Sequence, residues 1–157
     1  MTAGRAAAWL AVPARWYLGV LFVGACLHKI ADPRAFALDV ATYDVLPLVV
    51  INVVAIVLPW VELAAGGMLL AGTRTRAAAL LVTAMMLVFL VALLSALSRG
   101  LDMSCGCFAS QGAEEHPISR LTVLRDLGWT GLAVFVLLFD RSLAGLDALI
   151  GRRRNGP

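Results

Sequence analysis

Four stretches of this chain, about Trp9–Ile30, Pro47–Ala71, Ala77–Leu97 and Leu121–Phe139, are each long enough and apolar enough to cross a lipid bilayer. A span needs about 20 mostly apolar residues, because the hydrocarbon core is about 30 Å thick and a helix rises about 1.5 Å per residue. In hydrocarbon every backbone N–H and C=O must find its partner within the protein, which for runs of this length means α-helix. The overall balance of 61% hydrophobic and 15% charged residues agrees. The connections are short, and no separate soluble domain, low-complexity tract or repeat is left over. The expected fold class is an all-α integral membrane protein. All 157 residues form a single four-helix membrane domain, with helices at about 9–30, 47–71, 77–97 and 121–139.

Charge sets the expected orientation. If the N-terminus, the second connection and the C-terminus share a side, that side holds Arg5, Arg15, Arg74, Arg76, Arg141, Arg152, Arg153 and Arg154. The other side holds only Lys29, Arg34, Arg99, Arg120 and Arg125, with most of the acidic residues. By the positive-inside rule both termini are cytoplasmic, in a bacterial cytoplasmic (inner) membrane. The basic tail "GRRRNGP" is suited to anionic lipid headgroups, and nothing points to nucleic acid. The third connection, about 98–120, then faces the oxidising outer compartment in which disulfides persist.

Between the first two spans, "PRAFALDVATYDVLP" alternates apolar and acidic residues over too few positions to cross. It reads as a short amphipathic helix or re-entrant segment on the outer surface, opened by Asp32-Pro33. The small run Ala64-Ala65-Gly66-Gly67 would let a neighbouring helix approach closely. "VGAC", ending at Cys26, has the look of a lipoprotein cleavage box, but Pro13 and Arg15 interrupt the apolar region before it. Cys26 is therefore taken as a residue of the first helix.

The order "LHKIADPRAFALDVATYDVLP", "LPWVELAAGGMLLAG" and then "CGCF" before a last helix resembles the DoxX-like membrane proteins, and within them the MauE branch. The resemblance runs from about Arg15 to Phe139. It implies a four-helix membrane protein working beside an exported or membrane-anchored thioredoxin-like partner, in forming or maintaining disulfides of exported proteins such as methylamine dehydrogenase. In architecture it is more distantly similar to the quinone-linked disulfide-generating membrane enzymes. Those carry Cys-x-x-Cys, where this chain has Cys105-Gly106-Cys107.

Cysteines two apart can close a disulfide if the intervening residue tolerates an unusual backbone, as glycine does. The small strained ring would be easily reduced, which suits exchange rather than stapling. The same thiols could instead hold a soft ion such as copper or mercury, with Met103 or Cys26 completing the shell, or do neither. Cys26, near the outer end of the first helix, is either a small packing residue or a third thiol. His28 and Lys29 sit at that same end, and with Arg125 they are the candidate cofactor-binding residues. Lys29 is expected to snorkel to the headgroups or, together with Arg125, to lower the thiol pKa values or bind a quinone head. Of the adjacent Arg125 and Asp126, Arg125 is taken as the functional one.

Arg15 and Glu62 are expected to form a buried structural ion pair. Arg15 lies 16 residues, about 24 Å, below the end of the first helix, and Glu62 lies 15 residues, about 22 Å, below Pro47. A charge left alone in hydrocarbon is costly, so each needs a partner.

Three functions stand side by side. The first is a membrane thiol-disulfide oxidoreductase exchanging electrons with the thioredoxin-like partner through Cys105, Cys107 and Cys26, with a quinone as possible cofactor. The second is a soft-metal binding or transport protein, and the third a non-catalytic membrane assembly factor.

Overall fold

The computed structural model describes residues 3–100 and 120–140. Cys105, Cys107 and most of the connection between the third and fourth spans lie outside the described residues, as does the basic tail. The described residues form five helices and no strand: α1 (Ala3–Ala31), α2 (Pro33–Thr42), α3 (Leu48–Ala71), α4 (Thr75–Ser98) and α5 (Arg120–Phe139). All but α2 are long and apolar enough to cross a membrane. They match the four apolar runs closely, except that α1 starts six residues earlier than Trp9. The four spans alternate in direction, and "upper" here means the end at which α1 stops.

Local chemistry explains the breaks. Asp32 stops α1 and starts α2: its Oδ1 accepts the Ala35 N–H at 2.9 Å, and Pro33 occupies the first turn, where no amide donor is needed. Pro47 sits at the N-cap of α3. At the lower end α3 closes on Gly72 in the left-handed conformation (φ 68°), and the Gly72 and Thr73 amides both donate to the Met68 carbonyl. That turn sends the chain into α4 within three residues.

α1 is the central element. It packs chiefly on α3 and also on α5, while α4 packs chiefly on α5. The α1–α3 contact is close because it is made by glycines. A Cβ on Gly66 would lie 3.0 Å from Val23 Cγ2 and 3.1 Å from the Gly19 carbonyl oxygen. The expected small-residue approach is therefore real, but it runs through Gly66; Gly67 faces open space.

The largest apolar cluster joins all four spans, with Leu18 and Phe22 of α1 meeting Leu69, Val82, Met86 and Val136. Outside it, exposed apolar residues such as Leu48, Val49, Val88 and Leu121 form a belt suited to lipid. Towards the upper end α3 and α4 part, and α2 fills some of the space. α2 does not merely float on the surface: Phe36 is buried, and the helix packs against α3.

Candidate functional site

The space between α2, α3 and α4 is a cavity of about 750 Å³, walled mostly by apolar side chains. Its polar lining comes from few residues, chiefly Lys29, Asp39, Glu62 and Ser95. α2 and its C-cap contribute Phe36, Asp39, Val40 and Tyr43, spaced i, i+3, i+4 and i+7, so one face of this short helix lines the cavity.

At the cavity wall Lys29 Nζ donates to both carboxylate oxygens of Glu62, at 2.8 and 2.9 Å. Both side chains are almost fully buried. The pairing follows from helix geometry. In an α-helix the Cα–Cβ bonds tilt towards the N-terminus, so Lys29 on rising α1 leans down and Glu62 on descending α3 leans up. The Gly19–Gly66 contact sets the register. From it, α1 climbs ten residues to Lys29, about 15 Å, and α3 climbs four to Glu62, about 6 Å. The two long side chains bridge the remaining 9 Å or so. The Phe36 ring lies 4.9 Å from the ammonium and adds a cation–π contact beneath α2.

The expected Arg15–Glu62 pair is not formed. Arg15 is fully buried and donates from Nη1 to Asp140 Oδ2 at 3.2 Å, a pair at the lower end between α1 and the residue just after α5. The expectation failed because it placed the top of α3 level with the top of α1. The α2 helix and the segment after it lift the start of α3 well above Ala31, which leaves Glu62 about 12 Å above Arg15 along the helix axes. Nor does Lys29 snorkel upward; it turns inward.

Arg125 lies in the first turns of α5. Its side chain is 43% exposed, stacks 4.7 Å over the Trp129 ring and reaches Asp126 Oδ1 with Nε at 3.3 Å. It is not part of the cavity wall. Asp126 is the buried member of the pair, and its Oδ2 lacks a hydrogen-bond partner among the described residues. Trp129 in turn donates from Nε1 to the Tyr17 hydroxyl at 3.1 Å, tying α5 to α1.

Cys26 is fully buried one turn below Lys29 and within electrostatic reach of both Lys29 and Glu62; its thiol donates to the Val23 carbonyl at 3.1 Å. His28 is half-buried, with Nε2 unpartnered among the described residues. The structure thus brings Cys26, Lys29 and Glu62 together and leaves Arg125 apart. Among the described residues no group of three or more His, Cys, Asp or Glu could hold a metal ion.

Several residues here escaped the sequence. Burial raises the Asp39 carboxyl above its ordinary value, while His28 and Lys29 pull it the other way. At the top, Arg99 at the end of α4 donates to the Tyr43 and Asp44 carbonyls and pairs with the Asp44 carboxylate. The Tyr43 and Phe89 rings meet edge to face below it. This clasp ties the end of α4 to the turn that follows α2. The spacing of Phe36, Asp39, Val40 and Tyr43 was visible in the sequence, but not the neighbour that their face meets.

The family model for methylamine utilisation protein MauE matches residues 7–139. A methylamine utilization protein MauE from Paracoccus denitrificans is 38% identical over 123 residues, which is 78% of this chain and 65% of that protein. The protein of that name from Methylophilus methylotrophus is 26% identical over 139 residues, 88% of this chain and 73% of the relative. The chain therefore spans somewhat less than two thirds of the length of the Paracoccus protein. No solved structure matches.

Proposed function

The chain belongs to the MauE family, and on that premise we propose that it is a membrane thiol-disulfide redox protein serving methylamine utilisation. Cys105 and Cys107 exchange a disulfide with the dithiol of an exported thioredoxin-like partner. In each exchange a thiolate attacks the opposing disulfide, a mixed disulfide forms, and the second thiolate of the same partner releases it. One S–S bond is made and one is broken, and two electrons change hands. A wider kinship with DoxX-like proteins belongs to the same proposal, as does an orientation with both termini in the cytoplasm of a bacterial cell and the cysteine pair outside.

The observation that carries the reading is one of chain order. The Cys-x-Cys pair lies in the connection from α4 to α5, which leaves the bundle at the end where α1 carries Cys26 and Lys29. A buried thiol one turn below the Lys29–Glu62 pair thus shares an end of the bundle with the connection that holds the other two cysteines.

Thiol trapping with mass spectrometry on native membranes tests this, comparing the unmodified chain with Cys105→Ser. The expected result is a mixed disulfide between the remaining Cys107 and a thioredoxin-like protein, accumulating in the variant. If Cys105 and Cys107 stay in a single oxidation state through growth on methylamine, and no partner is trapped, the reading is refuted.

A further inference from the structure

We infer that Asp126 is a proton-binding site inside the membrane: its carboxyl stands as a neutral acid at neutral pH, and Arg125 is the counter-charge that lets the proton leave. The inference stands apart from disulfide exchange and does not depend on it.

Three carboxyls are buried among the described residues, those of Glu62, Asp126 and Asp140. Two of them meet a buried cation from a distant part of the chain. Lys29 gives a donor to each oxygen of Glu62, and Arg15 reaches Asp140. Asp126 is held differently. It is fully buried within the span Leu121–Phe139, six residues or about 9 Å from the start of α5, and its cation is the adjacent Arg125. Neighbours in a helix diverge, so Arg125 meets only Oδ1, through Nε at 3.3 Å. Oδ2 has no partner among the described residues, and the hydroxyl of Thr130, one turn on, donates to the Asp126 main-chain carbonyl instead.

That pattern fits the neutral acid better than the carboxylate. An ionised carboxyl accepts hydrogen bonds at both oxygens, whereas a neutral one has a carbonyl that accepts and a hydroxyl that donates. One oxygen that accepts and one that receives no donor is the second arrangement. A buried hydroxyl without an acceptor costs about 1–3 kcal/mol. A buried carboxylate costs several kcal/mol unless a well-placed cation and further hydrogen bonds compensate it. Arg125 is poorly placed to do so, because its side chain is 43% exposed and its guanidinium lies over the Trp129 ring. A pair with one solvated member contributes about 0–1 kcal/mol, which is too little to hold the charge.

No other cation intervenes. α5 packs on α1 and α4, and α4 carries no titratable residue beyond Arg76 in its first turn. Between Arg15 and Lys29, the titratable groups of α1 are engaged elsewhere. Arg15 pairs with Asp140, Tyr17 accepts from Trp129, Cys26 donates to the Val23 carbonyl, Lys29 pairs with Glu62, and His28 acts on Asp39. Arg125 is therefore the charge that acts on Asp126 among the described residues. When the O–H bond breaks, the proton leaves along the exposed side of Arg125, and the Nη donors of that residue are the groups within reach of the new carboxylate.

The test uses the full chain in phosphatidylcholine nanodiscs and infrared difference spectroscopy of the parent against Asp126→Asn at neutral pH. An amide resembles a neutral acid in shape and polarity, so the variant is expected to fold and to lose a carbonyl band of a protonated carboxyl. Loss of carboxylate bands instead would overturn the assignment. In Arg125→Gln the protonated band should persist to a pH higher by about one unit or more, and an unchanged titration would remove Arg125 as the counter-charge. Dicyclohexylcarbodiimide on the unmodified protein decides the matter if Asp126→Asn does not fold. The reagent is lipid-soluble and adds to a protonated carboxyl: the acid proton moves to a carbodiimide nitrogen as the carboxyl oxygen bonds the central carbon. Mass spectrometry should find the whole reagent added at Asp126 and not at Glu62 or Asp140, with less adduct as pH rises. Adduct on Glu62 or Asp140 with Asp126 unmodified would overturn the proposal, as would no adduct at any of the three.

Discussion

Lys29→Met offers the sharpest perturbation, because methionine keeps an unbranched stem of similar length and removes only the charge and its donors. It leaves the Glu62 carboxylate, 9% exposed in its side chain, without the ammonium that meets both its oxygens. Breaking a buried pair by deleting one member costs about 3–5 kcal/mol, whereas replacing both members by apolar residues is often nearly neutral. Lys29→Met and Glu62→Met should therefore each lower the folded-to-unfolded ratio by roughly two to three and a half powers of ten. The double variant should return close to the parent. Arg15→Met is the control. Its partner is Asp140, so its effect should add to that of Glu62→Met rather than cancel it. Reversible unfolding in mixed micelles, followed by steric trapping, gives the four free energies of each cycle. Rescue of Glu62→Met by Arg15→Met but not by Lys29→Met would refute the pairing and the register behind it. A Lys29→Met single variant as stable as the parent would refute the burial argument itself.

The glycine contact gives a paired expectation: Gly66→Ala should destabilise by about 1–3 kcal/mol, because the new Cβ meets Val23 and the Gly19 carbonyl. Gly67→Ala, which faces open space, should be neutral or gain up to about 1 kcal/mol from helix propensity, and thermal melts of the two variants side by side would show the difference. Asp39 gives a pH dependence. Burial raises its carboxyl in the folded state, so the folded protein holds the proton more tightly and stability falls as pH rises through the range just above ordinary carboxylates. Asp39→Asn should flatten that part of the stability profile, and a slope unchanged by the substitution would remove Asp39 as its source.

The spans were legible because apolar length is a local property, readable without any partner. Helix ends were nearly as legible, since Asp32-Pro33, Pro47 and Gly72 act through their own backbone. That Arg15 and Glu62 would be buried and paired was also readable, from the cost of a lone charge in hydrocarbon. Which charges pair was not. That depends on how high α3 starts relative to α1, a height set by α2 and by the close approach of Gly19 to Gly66, and neither is written in the residues that form the pairs. The same gap hid Asp126: adjacent residues on a helix point about 100° apart, and only the neighbouring helices decide that Asp126 faces in and Arg125 out.

Lys29 and Arg15 are 14 residues apart on one helix, so their side chains leave α1 within about 40° of the same direction, about 21 Å apart along its length. One is fastened to α3 and the other to the residue after α5. In lipid, leucine is as content facing a neighbouring helix as facing a tail, so apolar contact alone ranks the possible alignments of four such helices only weakly. Two charges on one side of the rod remove that degeneracy. Sliding α1 by a turn, or rolling it by a third of a revolution, would strip both anchors at once, and no intermediate alignment keeps one while losing the other cheaply. Competing arrangements are thereby graded in whole charges instead of methyl groups, which gives a nearly featureless greasy cylinder one place to stand.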